Sequence, residues 1–392
     1  MRWNVLIVLN RGTKLRHDTL AYGALRANLE LAKYLQDHQC CVSFVCDVHG
    51  GISEYHGIPV CACDSTSTHS IRETVKKQGS LDLILENSNI EIFSEVLAPR
   101  QVVLMHNPHH PWGVETLGKA LYQQVSAVVC VSEHSRRMNH QWGVPESKLH
   151  VVPNGLDASI FNMKTLGKRH LHRLVFIGQL MPDKGFDIAI RVLGNLRQIY
   201  PELELHAYGR NGVWKKHHTW FAENGLLLDD GYLDLDKLEQ AVPGLRLCGE
   251  VNQDHLVVAL RKATILLHPS RLAETFGLVS IEAQACGCLP VLPNQGAFPE
   301  TLPPGYAEAL IAQPDQIDSF TEKVRALLEC PEADLTERRE LLSRSAIERF
   351  SWHGSGSRAL SIFTNLKPLS FGDRARFQIL SLAKRFKHAL AS

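Results

Sequence analysis

Short apolar, β-branched runs alternate along the chain with longer stretches whose apolar residues recur at helical spacing. That alternation predicts α/β architecture built on parallel sheets. In the first half the predicted strands are Val5–Leu9, Val42–Cys46, Leu81–Leu85, Val102–Met105, Ala127–Val131 and Leu149–Val152. Between the first two, Leu25, Leu29, Leu31, Ala32 and Leu35 share one stripe and predict a helix over Leu20–Leu35. The pattern restarts after Pro153-Asn154-Gly155, with predicted strands Leu174–Ile177, Glu204–Ala207, Leu245–Leu247, Ile265–His268 and Leu289–Val291. Two such sets imply two open-sheet domains facing each other across a cleft. Ligands of these sheets bind beyond the carboxyl ends of the strands, which makes the cleft the expected site. The stretch Arg210–Gly244, rich in Lys, His, Trp and Asp, reads as an insertion over that cleft or an acceptor loop.

Composition narrows the function classes. At 392 residues the chain can bury two cores. Its 42 basic and 41 acidic residues leave a net charge of +1, which gives no reason to expect a nucleic-acid partner. The 10 cysteines show no paired C-x2-C spacing, so neither a zinc ribbon nor a disulfide framework is expected, and reduced thiols of a cytoplasmic protein are. The apolar run in MRWNVLIVLN is too short for a signal peptide, and no run approaches the ~20 apolar residues of a membrane span. Membrane contact would therefore be peripheral. The tail, Arg374 to Leu390, sets Ile379, Leu382, Ala383, Phe386 and Leu390 on one stripe with Arg376, Lys384, Arg385 and Lys387 off it. Such a helix suits docking on a domain, and also suits an anionic membrane surface.

The densest chemistry lies in SRLAETFGLVSIEAQACG, Ser270 to Gly287. Glu274 is a loop carboxylate, Gly277 stands where a helix can begin, and Glu282 falls about five residues into that helix. A helix N-terminus attracts phosphate, because its free N–H groups and its dipole both point at the anion. The two acids then face whatever the phosphate carries at its two ends. A nucleotide sugar, with a sugar and a ribose on either side of a diphosphate, fits that layout.

The segment resembles the Glu-x7-Glu signature of the family 4 retaining glycosyltransferases. VCVSEHSRRMNHQWGVPESKLHVVPNGLD, LVFIGQLMPDKGFDIAIRVL, LRLCGEV and LLHPSR resemble further parts of that family in the expected order. The resemblance implies the GT-B fold: two Rossmann-like domains facing across a cleft, with a C-terminal helix crossing back to the first. On that pattern residues 1–165 with 372–392 form the acceptor-side domain, and residues 166–371 the donor-side domain. It implies a metal-independent enzyme with no cofactor, which moves a hexosyl group from a nucleotide sugar to a saccharide or lipid-linked acceptor.

The resemblance also implies roles. Lys184, in Pro-Asp-Lys-Gly, matches the lysine that touches the diphosphate, where a positioned cation typically contributes ~10² to 10³ in rate. Glu274 matches a contact to the donor sugar. Phe276, Gly277 and Leu278 offer backbone N–H groups to the phosphates, Thr275 belongs to the same donor-binding turn, and Glu282 accepts from the ribose hydroxyls. His106, at the end of QVVLM, matches the histidine beside the donor sugar. Three departures stand out. Gln179 follows Gly178 where the family usually has arginine, Thr275 stands where the family often has glycine and implies a tighter or shifted turn, and the N-terminal Gly-Gly pair is reduced to Gly12. The missing charge is expected from Arg271, Arg210 or the Arg11, Lys14, Arg16 loop. His106, His109 and His110 offer a weaker metal reading, because ligation at that spacing needs a helix and Pro108 opposes one. A non-catalytic nucleotide-sugar-binding protein or partner subunit is the alternative from another class, prompted by Gln179 and the eroded glycine loop. An epimerase lacks this pair of acids, a phosphorylase would carry a pyridoxal lysine in a much longer chain, and a nicotinamide dehydrogenase would show a G-x-G-x-x-G after the first strand.

Overall fold

The computed structural model describes residues 3–19, 23–87, 90–106, 125–164, 169–211 and 219–369. The chain folds into two compact units.

The first unit is built on a sheet of nine strands. They are β1 (Asn4–Val8), β2 (Lys14–Leu15), β3 (Cys41–Val48), β4 (Glu54–Tyr55), β5 (Ile58–Ala62), β6 (Leu83–Glu86), β7 (Arg100–Met105), β8 (Ala127–Cys130) and β9 (Leu149–Val151). Their order is β4-β5-β3-β1-β6-β7-β8-β9, with β2 paired on β3. Among the described residues of this sheet, only β4 and β5 pair antiparallel. Because β1 is covered on both sides, its apolar run divides by parity. Val5 and Ile7 join one core with Ala32, Leu35, Ala359 and Phe363, while Leu6 and Val8 join another with Ile71 and Val75. The predicted first helix forms as Gly23–Asp37, with Ala27, Leu29, Ala32 and Leu35 buried.

The second unit carries β10 (His170–Ile177), β11 (Glu204–Tyr208), β12 (Leu245–Gly249), β13 (Ala263–Leu267), β14 (Leu289–Pro293) and β15 (Ile311–Ala312). Their order is β12-β11-β10-β13-β14-β15, parallel throughout. Phe176, Phe186, Phe221, Phe298 and Phe320 anchor its core.

The boundaries differ from the expected 165 and 371. The first unit runs to Gly155 and resumes at Trp352; the second is Leu156–Ser351. Packing explains both shifts. The Leu156 amide donates to the Phe350 carbonyl at 2.8 Å, Leu156 bridges Ser351, Phe161 is buried, and Arg261 holds the Ile160 and Asn162 carbonyls at 2.8 Å. These contacts draw the segment after Gly155 into the second unit. The returning helix is Trp352–Asn365, which buries Ala359 and Phe363 in the first unit. The expected helix over 374–390 lies outside the described residues.

The stretch read as an insertion or acceptor loop is anchored in the second unit by four buried side chains. Its residues 219–244 form helices Thr219–Glu223 and Leu235–Ala241, and Phe221, Leu226, Leu233 and Leu238 pack into the second unit's interior. Residues 212–218 lie outside the described set. Among the described residues, no helix is long and apolar enough to cross a membrane.

Candidate active site

Three loops leave the carboxyl ends of neighbouring strands in the second unit. After β10 come Gly178 and Gln179, then the turn Pro182–Lys184. After β13 comes Ser270 to Gly277, and after β14 comes Asn294 to Ala297.

The first turn ends on Gly185, whose φ of 74° is left-handed and whose position would drive any Cβ into the Pro269 carbonyl. Only glycine lets the two loops nest this closely. Lys184 Nζ then meets Glu274 Oε1 in a direct ion pair, with both side chains about one-quarter exposed (24% and 25%). The Glu274 backbone is pinned on both sides: its amide donates to Leu272 and its carbonyl accepts from Ala297, each at 2.9 Å.

Gly277 opens the helix Leu278–Ala285 at φ 93°. A Cβ there would lie 2.8 Å from the Phe298 ring, so space and conformation both demand glycine. No side chain caps the helix, and the Ser280 amide turns back to the Gly277 carbonyl at 3.0 Å, so a helix start of this kind can receive an anion at the amides of Leu278 and Val279. Glu282 is the fifth residue of this helix and is half-buried. Thr275 and Phe276 are buried, the Phe276 ring meeting Phe350 edge-on at 5.6 Å. Leu278 and Gln179 are half-buried, and the Gln179 carbonyl accepts from Met181 at 2.9 Å.

Arg271 is held by the protein itself. Nη1 and Nη2 grip both carboxylate oxygens of Asp187 at 2.7 and 2.8 Å, Nη1 also reaches the Pro182 carbonyl at 2.5 Å, and Nε reaches Asp315 at 2.5 Å. The expectation that this guanidinium replaces the missing phosphate charge thus meets an arginine whose every side-chain nitrogen is already bonded to the protein. Arg210, whose carbonyl accepts from Leu180 at 3.0 Å, is exposed. In the first unit, Arg11 donates to the Thr66 carbonyl at 2.8 Å and Lys14 pairs with Asp47 at 3.4 Å.

His106 belongs to the first unit. It follows β7, is half-buried, and lines an apolar cavity of about 40 Å³ with Leu104, Val129, Val152, Asn154 and Trp352. His109 and His110 lie outside the described residues. No group of three or more His, Cys, Asp or Glu is placed to hold a metal among the described residues.

Two residues that the sequence did not single out belong to this site. Asp187 is the first. His268 is the second: it follows β13, is 3% exposed, stacks against Phe176 at 6.1 Å and meets Phe298 edge-on at 5.4 Å. Burial pushes its pKa down to about 4, helped by the positive charge of Lys184 and opposed by Glu274 and by a hydrogen bond to the Ile177 backbone. The imidazole beneath the ion pair is therefore neutral at physiological pH. The signal was a histidine directly after the apolar run Ile265–Leu267 of β13; for Asp187 there was none, since an acid in a first helical turn is ordinary.

Two family models match the chain. "Glycosyl transferases group 1" covers residues 163–349, and "Glycosyltransferase Family 4" covers residues 22–160. The MMP alpha-(1->4)-mannosyltransferase of Mycolicibacterium hassiacum is 23% identical over 325 residues, 76% of this chain and 74% of the relative. The D-inositol 3-phosphate glycosyltransferase of Geodermatophilus obscurus is 27% identical over 258 residues, 60% of this chain but only 52% of the relative. Among solved structures, Anabaena HepE in complex with UDP and glucose superposes with a TM-score of 0.71 at 18% identity, covering 93% of this chain and 100% of its own. A glycosyltransferase from Rickettsia africae gives 0.72 at 17% identity, covering 93% and 98%.

Proposed function

The chain belongs to the family 4 glycosyltransferases and has the GT-B fold, and from that premise we propose that it moves a hexosyl group from a nucleoside-diphosphate sugar to a hydroxyl of a saccharide or lipid-linked acceptor. The anomeric configuration is retained, and no metal takes part. The observation that carries this reading is the Lys184–Glu274 pair beside a helix that opens on a bare glycine, with Glu282 one turn further in.

Breaking the sugar–phosphate bond leaves negative charge on the departing diphosphate. The Leu278 and Val279 amides and the Lys184 ammonium are fixed donors for that charge, and fixed donors need no reorganisation as it grows. Glu274, released from Lys184 when phosphate takes the ammonium, turns to the hydroxyls of the sugar. Glu282 accepts from the ribose. The acceptor hydroxyl attacks on the face the leaving group vacates, and its proton passes to the departing phosphate oxygen.

Calorimetry with UDP, GDP, ADP and their hexose conjugates tests the reading, followed by NMR of the product anomer. Binding of one nucleotide, weakened at least tenfold by Glu282→Ala, is expected. No binding of any nucleotide, or an inverted product, would refute it. A second reading, a nucleotide-sugar-binding protein without turnover, draws on Gln179 and on the engagement of Arg271. Donor binding with no transfer to any of a panel of acceptors would favour it.

A further inference from the structure

Arg271 lies at the start of the loop that carries Glu274, where a cation for the diphosphate was expected, yet all its side-chain nitrogens bond to the protein. Nε bonds to Asp315, beyond β15, while the partners of Nη1 and Nη2 share one location. Pro182 and Asp183 belong to the turn that carries Lys184, and Asp187 is the second residue of the helix Phe186–Arg197 that this turn enters. The Arg271 amide adds a bond to the Asp183 carbonyl at 2.9 Å. One residue thus ties its own loop to the neighbouring turn through backbone and side chain together.

The anchor is firm. The Asp187 side chain is only 6% exposed and accepts both guanidinium nitrogens, the planar two-point geometry that arginine provides and lysine does not. Swinging Arg271 out to a phosphate would strand a buried carboxylate. We propose that Arg271 is a positioning residue: paired with Asp187, it locks the Lys184 turn to the Glu274 loop and so sets the spacing of the ion pair at the donor site. The inference rests on the reading that this pair handles the donor.

The experiment compares wild type with Arg271→Lys, Asp187→Asn and Asp187→Glu. The donor hydrolysis and transfer rates are measured with UDP-glucose, GDP-mannose and ADP-glucose, together with nucleotide affinity and backbone amide exchange. Arg271→Lys and Asp187→Asn are each expected to lower kcat about tenfold or more while KM for the donor moves less than about threefold, since misplacement by about 1 Å can cost ~10²-fold. Asp187→Glu recovers part of the loss. Exchange should accelerate together in residues 183–187 and 271–277. A freed phosphate-binding guanidinium gives the opposite sign: Asp187→Asn would then tighten nucleotide binding or raise turnover, overturning the proposal. Faster exchange in only one of the two segments also overturns it. If wild type turns over no donor, the proposed function fails, while the exchange result still decides whether Arg271 locks the two loops.

Discussion

Acidification should unlock the second unit through His268. The group has an ordinary pKa of 6.5 when the chain is unfolded and about 4 when folded, because burial disfavours the imidazolium. Between those values the unfolded chain binds the proton and the folded one does not, so stability is complete above pH 6.5 and falls as the pH drops towards 4. At 1.36 kcal/mol per pKa unit the loss amounts to about 3 kcal/mol once the pH is below the folded value, and about 2 kcal/mol at pH 5. That is a large share of an ordinary domain's stability. Hydrogen exchange of the β10 and β13 amides, read at pH 7.5 and pH 5 after correction for intrinsic rates, reports this unit alone. The reference is His268→Phe, which keeps an aromatic ring between Phe176 and Phe298 but cannot titrate. Subtracting the two removes the contributions of His150 and His206, whose pKa values burial also lowers. If wild type and variant lose the same protection between the two pH values, the assignment of acid sensitivity to His268 is wrong.

Other substitutions probe the same loops. Lys184→Ala should lower kcat by ~10² to 10³ in a steady-state assay, because it removes the donor nearest the growing charge. Gly277→Ala forces a side chain into a left-handed backbone and against Phe298; a loss of about 1–3 kcal/mol in denaturant titration and of nucleotide binding in calorimetry is expected. Gly185→Ala, with its methyl driven into the Pro269 carbonyl, should yield little folded protein in a solubility and circular-dichroism assay. Phe363→Ala should cost about 3–5 kcal/mol in the first unit, since the ring is wholly buried there.

How legible these features were depended on where their partners lie in sequence. Val5–Val8 and Ile265–Leu267 are covered on both faces, so their runs are apolar without interruption and announce themselves. The short strands β4 and β15 did not, because two residues at a sheet edge carry too little pattern. The Ser270–Gly287 motif was readable because a loop, a glycine and a helix stand in consecutive order. Its support was not: Arg271 and Asp187 are 84 positions apart, and nothing in either neighbourhood joins them. The helix that closes the first unit was missed for a local reason. WHGSGSRALSIF contains two glycines, which argue against a helix, and only Gly356, Ala359 and Phe363 are buried along it. The stretch before Gly244 misled in the opposite sense, since charged and aromatic composition hid four residues that pack inward.

The bridge between Leu156 and Ser351 gives the second unit a single doorway: the polypeptide enters and departs at adjoining points, clasped by one amide–carbonyl bond. Residues 156–351 are in effect a cassette spliced into an otherwise continuous first half. Grafting a counterpart from a relative at those two junctions leaves every strand of the host sheet, and the helix that seals it, on the host's own chain.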